Sequence, residues 1–99
     1  MRVLIIKVYL RAQWVHSLKE KRMILKSIIS RLRNKFNVSV SEIDYQDIHK
    51  EMVIGIVAIC GTAAIADSTM ENIISFIEEN TDAEITSIEH EKEIFSNNK

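Results

Sequence analysis

Positively charged side chains concentrate in one stretch of the sequence, residues 17–36. This stretch holds seven Lys or Arg and a single acidic residue, Glu20. Lys and Arg bind phosphate groups, and each neutralised phosphate releases counterions, so such a cluster favours a polyanion such as RNA. A solvated helix face, or attraction to the acidic half of the chain, would explain the same charges without a ligand. The side chains expected to contact RNA are Lys19, Lys21, Arg22, Lys26 and Arg33.

A second group of potentially reactive side chains comprises Asp44, Asp47 and His49. Carboxylates and imidazoles can bind metal ions or exchange protons. However, the other two histidines lie far away in sequence, and Asp at the end of a strand is ordinarily a turn former. The sequence contains no glycine-rich phosphate loop, nucleophile elbow or Cys-x-x-Cys pair, and Cys60 lies in an apolar segment. We therefore expect no enzyme activity, no metal site and no cofactor.

The basic stretch itself predicts an amphipathic helix with a capped start. Ser17 and Glu20 match the S-x-x-E capping box, in which the Ser17 hydroxyl accepts from the Glu20 amide and the Glu20 carboxylate reaches the Ser17 amide. The helix should end within residues 34–37, with Asn in a left-handed cap. Its apolar stripe, at a period of 3.6 residues, contains Leu18, Leu25, Ile28, Ile29, Leu32 and Phe36. On a helical wheel four basic residues fall within about 60° beside that stripe: Lys19, Arg22, Lys26 and Arg33.

The remaining elements are four strands and one further helix. Alternating and apolar runs predict strands over residues 2–12, 38–45, 51–61 and 83–95, and a helix over 63–79 that Thr62 caps. The third strand is apolar on both faces and should be central, and the second breaks phase as at a bulge. The order predicts an α+β ferredoxin-like βαββαβ sandwich, with a four-stranded antiparallel sheet in the order 4-1-3-2 and both helices on one face. One domain should cover residues 1–95, followed by a frayed tail, 96–99.

Charge is distributed unevenly along the chain. Residues 1–50 hold 11 Lys or Arg and 4 Asp or Glu, whereas residues 51–99 hold 2 and 10. This asymmetry fits a polyanionic partner or self-association, and it also fits a dipolar domain whose halves attract each other. No apolar run approaches the roughly 20 residues of a membrane span, and no signal-peptide cleavage pattern is present. We therefore expect a cytoplasmic protein without membrane contact.

Two further features bear on partners. The face of the sheet that the helices leave open should be partly apolar, which indicates an interface and favours a homodimer through that face. Trp14 precedes the basic helix, and we expect it to pack as a structural plug over the helix start or the sheet edge. Stacking against a nucleic-acid base is the alternative for this ring.

The run SLKEKRMILKSIISRLRNKFNVSVSEIDYQD, preceded by VLIIKVYL and followed by VIGIVAI, resembles the YlxP-like family of small bacterial proteins. The resemblance implies a ferredoxin-like fold. Because family members are often encoded beside translation factors and ribosome-binding factor A, it also implies a role around RNA or the ribosome. It implies no catalytic residues. Besides the basic positions Lys19, Lys21 and Arg22, it implies a shared site at Ser17, Glu20, Glu42, Asp44, Gln46 and Asp47.

Together these patterns predict a non-enzymatic RNA- or ribosome-associated protein that binds through its basic helix. The alternative is a dimeric protein-interaction or regulatory module whose basic helix docks an acidic protein.

Overall fold

The computed structural model describes residues 1–96, and in that range each predicted element is present with bounds within about one residue of those expected. The predicted tail, residues 96–99, lies outside the described residues apart from Ser96. The strands and helices are β1 (Arg2–Arg11), α1 (Leu18–Lys35), β2 (Ser39–Asp44), β3 (Glu51–Cys60), α2 (Ala63–Asn80) and β4 (Glu84–Ile94).

The four strands form one antiparallel sheet in the order β2-β3-β1-β4. This is the predicted ferredoxin-like order read from the opposite edge, so the predicted fold is confirmed. β3 lies between β2 and β1, as its two apolar faces predicted. In the register of β1 with β3, Leu4 lies opposite Ala58 and Ile6 opposite Ile56, and all four are buried. These rows form the face on which both helices pack.

The two helices pack over different strands of the sheet. α1 packs beside β2 and against α2, whereas α2 packs over β1, β3 and β4. Burial of each helix's apolar stripe against the sheet supplies the main stabilisation of the fold. The rings of Phe36 and Phe76 meet edge to face at a centroid distance of 5.5 Å and join the two helices at one end. The buried stripe residues are Leu25, Ile28 and Leu32 of α1 and Ala66, Ile73 and Ile77 of α2.

The start of α1 is capped largely as predicted. Ser17 Oγ accepts a hydrogen bond from the Glu20 amide at 3.1 Å. The Glu20 carboxylate accepts from the His16 amide at 3.4 Å and from the Ser17 hydroxyl, rather than from the Ser17 amide that the capping box predicted. Since this carboxylate lies in the first turn, it also interacts favourably with the helix dipole.

The end of α1 differs from the prediction. The helix stops at Lys35, and Phe36 follows it in an extended conformation (φ −125°) with its amide donating to the Leu32 carbonyl at 2.9 Å. A left-handed Asn cap is therefore absent, because the apolar Phe36 ring turns inward and the chain proceeds directly into β2. Within residues 1–96 the residue other than glycine with positive φ is Tyr45, at 58°.

Two local features mark the edge strand β2, a β-bulge and a hydrogen bond from α1. The register with β3 shifts between Glu42 and Asp44, which confirms the bulge expected from the phase break. The extra residue, Ile43, lies over Gly55, where an added Cβ would come within 3.0 Å of Ile43 Cγ2. The guanidinium of Arg33 donates to the Val40 carbonyl at 3.0 Å. This bond ties α1 to the edge strand β2.

Candidate nucleic-acid interface

Four basic residues of α1, Lys19, Arg22, Lys26 and Arg33, lie on one flank of the helix beside its buried stripe, and we call them the basic flank. All four are exposed. Lys19, Arg22 and Lys26 make no hydrogen bond or ion pair within residues 1–96. Arg33 uses one N–H on the Val40 carbonyl and keeps its charge at the surface. The basic flank is therefore available to an external anion.

The spacing within the basic flank follows from the helix. Lys19 and Arg22 are three residues apart, and Arg22 and Lys26 are four apart, so each is a surface neighbour of the next. At 1.5 Å rise per residue, Lys19 to Lys26 spans about 10 Å along the axis and Lys19 to Arg33 about 21 Å. Like charges at these spacings each cost a few tenths of a kcal/mol in an isolated helix. The flank thus presents a linear row of positive charge beside the β2 edge.

Lys21, which was predicted to contact RNA, is buried, and that prediction is wrong. Only 1% of its surface is exposed. Its ammonium group donates to the Tyr45 carbonyl and, at 2.7 Å, to the Ile48 carbonyl. It also lies 3.0 Å from Glu42 Oε2. With its partners supplied by the protein itself, this ammonium group has no capacity left for a phosphate.

The burial of Lys21 has a physical cause that the sequence contained. Lys21 stands four, seven and eleven residues before Leu25, Ile28 and Leu32, so it occupies the same inward stripe. A lysine in this row points toward the sheet and needs a counter-charge there. The helical wheel indicates this inward position, and a prediction of RNA contact from charge alone does not take it into account.

Lys21, Glu42, Tyr45 and Ile48 form a unit that we call the lysine clamp. Glu42 lies on β2, and its Oε2 atom is buried. Within residues 1–96 this atom accepts no hydrogen bond, and its partner is the charge of Lys21 in an ion pair. The Ile48 amide donates to the Tyr45 carbonyl at 3.0 Å and closes the turn. The clamp thereby fastens the first turn of α1 to the turn between β2 and β3.

The six positions of the implied family site lie on the two segments that the lysine clamp joins, the start of α1 and β2 with the turn after it. Glu42 belongs to the lysine clamp, and Ser17 with Glu20 forms the helix cap. Asp44 Oδ1 accepts from the Tyr45 amide at 2.8 Å, as a turn former does. Gln46 and Asp47 are exposed in the same turn. Structural roles therefore account for four of these positions.

The acidic and histidine side chains near the turn do not form a recognisable centre. Within residues 1–96 no three His, Cys, Asp or Glu side chains come together as metal ligands. Asp44 is engaged in the turn, and the exposed Asp47 lies near His49 at the rim of a shallow depression.

Comparison with known proteins places the chain in a family. Residues 3–90 match the family described as "Protein of unknown function (DUF503)". The chain belongs to the DUF503 family. It is also 44% identical over 62 residues to "Uncharacterized protein YlxP" of Bacillus subtilis (strain 168), a match that covers 63% of this chain and 67% of the relative. The resemblance to YlxP-like proteins is therefore confirmed, and the family match contains both the basic flank and the lysine clamp.

In this DUF503 protein Trp14, which the sequence predicted to pack as a structural plug over the helix start or the sheet edge, lies beside α1 but remains at the surface. Its side chain is 45% exposed and lies in the wall of a groove beside Met23 and Ile24 of α1. The buried residues of the same connection are Ala12 and Val15. These smaller side chains close the core below the loop, which leaves the indole at the surface.

The open face of the sheet is partly apolar, as predicted. Ile5 and Val57 lie opposite each other across β1 and β3, and 73% of the Ile59 side chain is exposed. Beside this strip Lys7 lies 3.6 Å from Glu89 and over the ring of Tyr9. Contact with the Tyr9 hydroxyl, and then the Glu89 charge, raises the pKa of Lys7 above its ordinary value. The open face thus combines an aliphatic strip with charges of both signs.

Neither α1 nor α2 has the length and apolar character needed to cross a bilayer, and residues 1–96 contain no other long helix.

Proposed function

We propose that this protein is a non-enzymatic RNA-binding factor whose basic flank contacts phosphates of RNA, either free or within a ribosomal subunit. The observation that carries the proposal is the set of three exposed cations, Lys19, Arg22 and Lys26, without a partner in the described chain. Their alignment along one helix flank suits a polyanionic backbone. Contacts of this kind position a nucleic acid and carry little sequence information.

The distribution of ion pairs supports this proposal over simple attraction between the two halves of the chain. The ion pairs within residues 1–96 join Lys7 to Glu89, Arg11 to Glu51, Lys21 to Glu42 and Lys92 to Asp67. None of them involves the basic flank. Intramolecular attraction to the acidic half therefore does not account for the charges that the flank accumulates.

The test is RNA binding measured across a salt series by fluorescence anisotropy of a short single-stranded probe. Three phosphate contacts predict a slope of log Kd against log salt of about 2, so a fourfold rise in salt should weaken binding about 20-fold. Lys26→Gln should lower that slope by about 0.7. A slope near zero for the unmodified protein would overturn the proposal.

Lys35→Gln is the matched control. Lys35 is on the same helix, is exposed and has no hydrogen-bond or ion-pair partner within residues 1–96, but its direction on the wheel is opposite to the basic flank. It should leave the slope unchanged. Equal effects of Lys26→Gln and Lys35→Gln would mean that general charge, not the basic flank, governs binding. If Lys26→Gln lost binding to an acidic protein but bound RNA like the unmodified protein, the docking alternative would be favoured.

We further propose that a second copy of this chain covers the open face, giving a homodimer. An isologous contact needs a surface that complements itself, and this face carries both Lys7 and Glu89 beside the exposed aliphatic residues. Sedimentation equilibrium at micromolar concentration should give twice the chain mass of 11.4 kDa. Ile59→Asp should give the monomer mass with an unchanged circular dichroism spectrum, and a monomeric unmodified protein would contradict the proposal.

A further inference from the structure

A groove lies between α1 and the end of α2 with the segment that follows it, and both apolar and polar side chains line it. Trp14, Met23 and Ile24 form part of its lining, together with residues 80–82. The Trp14 side chain is 45% exposed, and that of Met23 is 66% exposed. Arg31 donates to Asn80 at 3.2 Å and links the two helices beside the groove. The groove therefore has an exposed indole ring in its wall, and we call it the Trp14 groove.

The Trp14 groove is continuous with the basic flank through one residue. Met23 follows Lys19 by four residues and precedes Lys26 by three, so it is the surface neighbour of both lysines. Because Met23 also lines the groove, the row of cations and the exposed indole share a border on the helix surface. Asp82 lies on the lining contributed by the segment after α2. Because the negative charge of Asp82 repels phosphates, the phosphates of a bound RNA should lie on the side of Lys19 and Lys26.

A cationic row beside an exposed aromatic ring is the arrangement with which proteins bind single strands. The cations track the phosphates, and unpaired bases stack on the ring, whereas a duplex hides its base faces. The open sheet face suits a nucleic acid less well. The Tyr9 hydroxyl on that face is bonded to Glu89, and Glu91 lies opposite Ile5 in the register of β4 with β1. Carboxylates in this row would repel phosphates.

We propose that the Trp14 groove binds an unpaired base of a single-stranded RNA whose phosphates lie along the basic flank. This inference rests on the proposed RNA binding and specifies the form of RNA that the site accepts. It places stacking at Trp14 and charge recognition at Lys19, Arg22 and Lys26. The two contributions are separable because Trp14 carries no charge and the three cationic side chains have no aromatic ring.

Trp14 is the sole tryptophan of the chain, so its fluorescence reports on this groove alone. Titration with a single-stranded oligouridylate at low salt should quench the emission. A blunt RNA duplex of the same length should leave the emission nearly unchanged. Binding of both probes, followed by anisotropy of a labelled RNA, should favour the single strand by about tenfold or more.

Substitutions then separate stacking from charge. Trp14→Leu should weaken single-strand binding about tenfold with an unchanged salt slope, and Trp14→Phe should restore most of the loss because it retains a ring. Lys26→Gln should lower the salt slope while the quenching at saturation persists. Thermal unfolding of the Trp14 variants, followed by circular dichroism, establishes that they are folded.

The outcomes distinguish this inference from the proposed function. Single-strand binding by Trp14→Leu at unmodified affinity, or equal affinity for duplex and single strand, would overturn stacking at Trp14. If the salt slope and its dependence on Lys26 persisted in that case, phosphate binding by the basic flank would stand. Absence of binding to either RNA by the unmodified protein would overturn both.

Discussion

The lysine clamp makes a specific prediction about stability. Lys21→Met keeps an unbranched side chain of similar length in the inward row of α1 but removes the ammonium group. The Tyr45 and Ile48 carbonyls then lose their charged donor, and Glu42 loses its counter-charge. We expect Lys21→Met to be among the most destabilising substitutions in the chain.

The magnitude follows from the burial of each partner. Removing one member of a buried ion pair costs about 3–5 kcal/mol, chiefly because the other charge is left uncompensated. Glu42 retains 21% side-chain exposure and can recover part of its hydration, which favours the lower end of that range. We therefore expect a loss of about 3 kcal/mol in the free energy of unfolding. In a domain of about 100 residues that corresponds to a fall in Tm of about 10–25 °C.

Urea unfolding followed by far-UV circular dichroism measures this loss. Lys35→Met, an exposed site on the same helix, is the control and should change stability by less than about 0.5 kcal/mol. In a Glu42→Gln background the cost of Lys21→Met should shrink by about 1–2 kcal/mol, because no carboxylate is left unpaired. If Lys21→Met were as stable as Lys35→Met, the assignment of Lys21 as a buried, charge-paired clamp would be refuted.

Two further predictions concern local backbone structure. Tyr45 has φ of 58°, so Tyr45→Gly should be more stable than Tyr45→Ala by about 1 kcal/mol, the reverse of the usual order, and the inverse result in urea unfolding would argue against a left-handed residue here. Ser17→Ala removes the acceptor for the Glu20 amide and should cost about 1 kcal/mol in unfolding free energy; Ser17→Asp should recover most of this, and equal stability of the three proteins would exclude a role for the cap.

Local patterns predicted the elements of this fold because their signals depend on near neighbours in the chain. The two apolar faces of β3 predicted its central place in the sheet, and Thr62 marked the start of α2, where its side chain accepts a hydrogen bond from the Ile65 amide. The sheet order then followed from the element order and the handedness of crossovers. The end of α1 was less predictable because it depends on a contact between distant residues. Phe36 packs against Phe76 of α2 and is extended, so no left-handed cap ends the helix.

The sequence by itself determined the basic flank, because the helical period alone places Lys19, Arg22 and Lys26 on one side of α1. Only the tertiary structure decided the role of Lys21. Its three partners come from β2 and the turn after it, and a buried ammonium group is tolerated only where such partners meet. Tertiary packing likewise left Trp14 exposed, since smaller side chains already close the core below it. Lys21, one of the five residues predicted to contact phosphates, is thus part of the framework, and the indole lies at the surface.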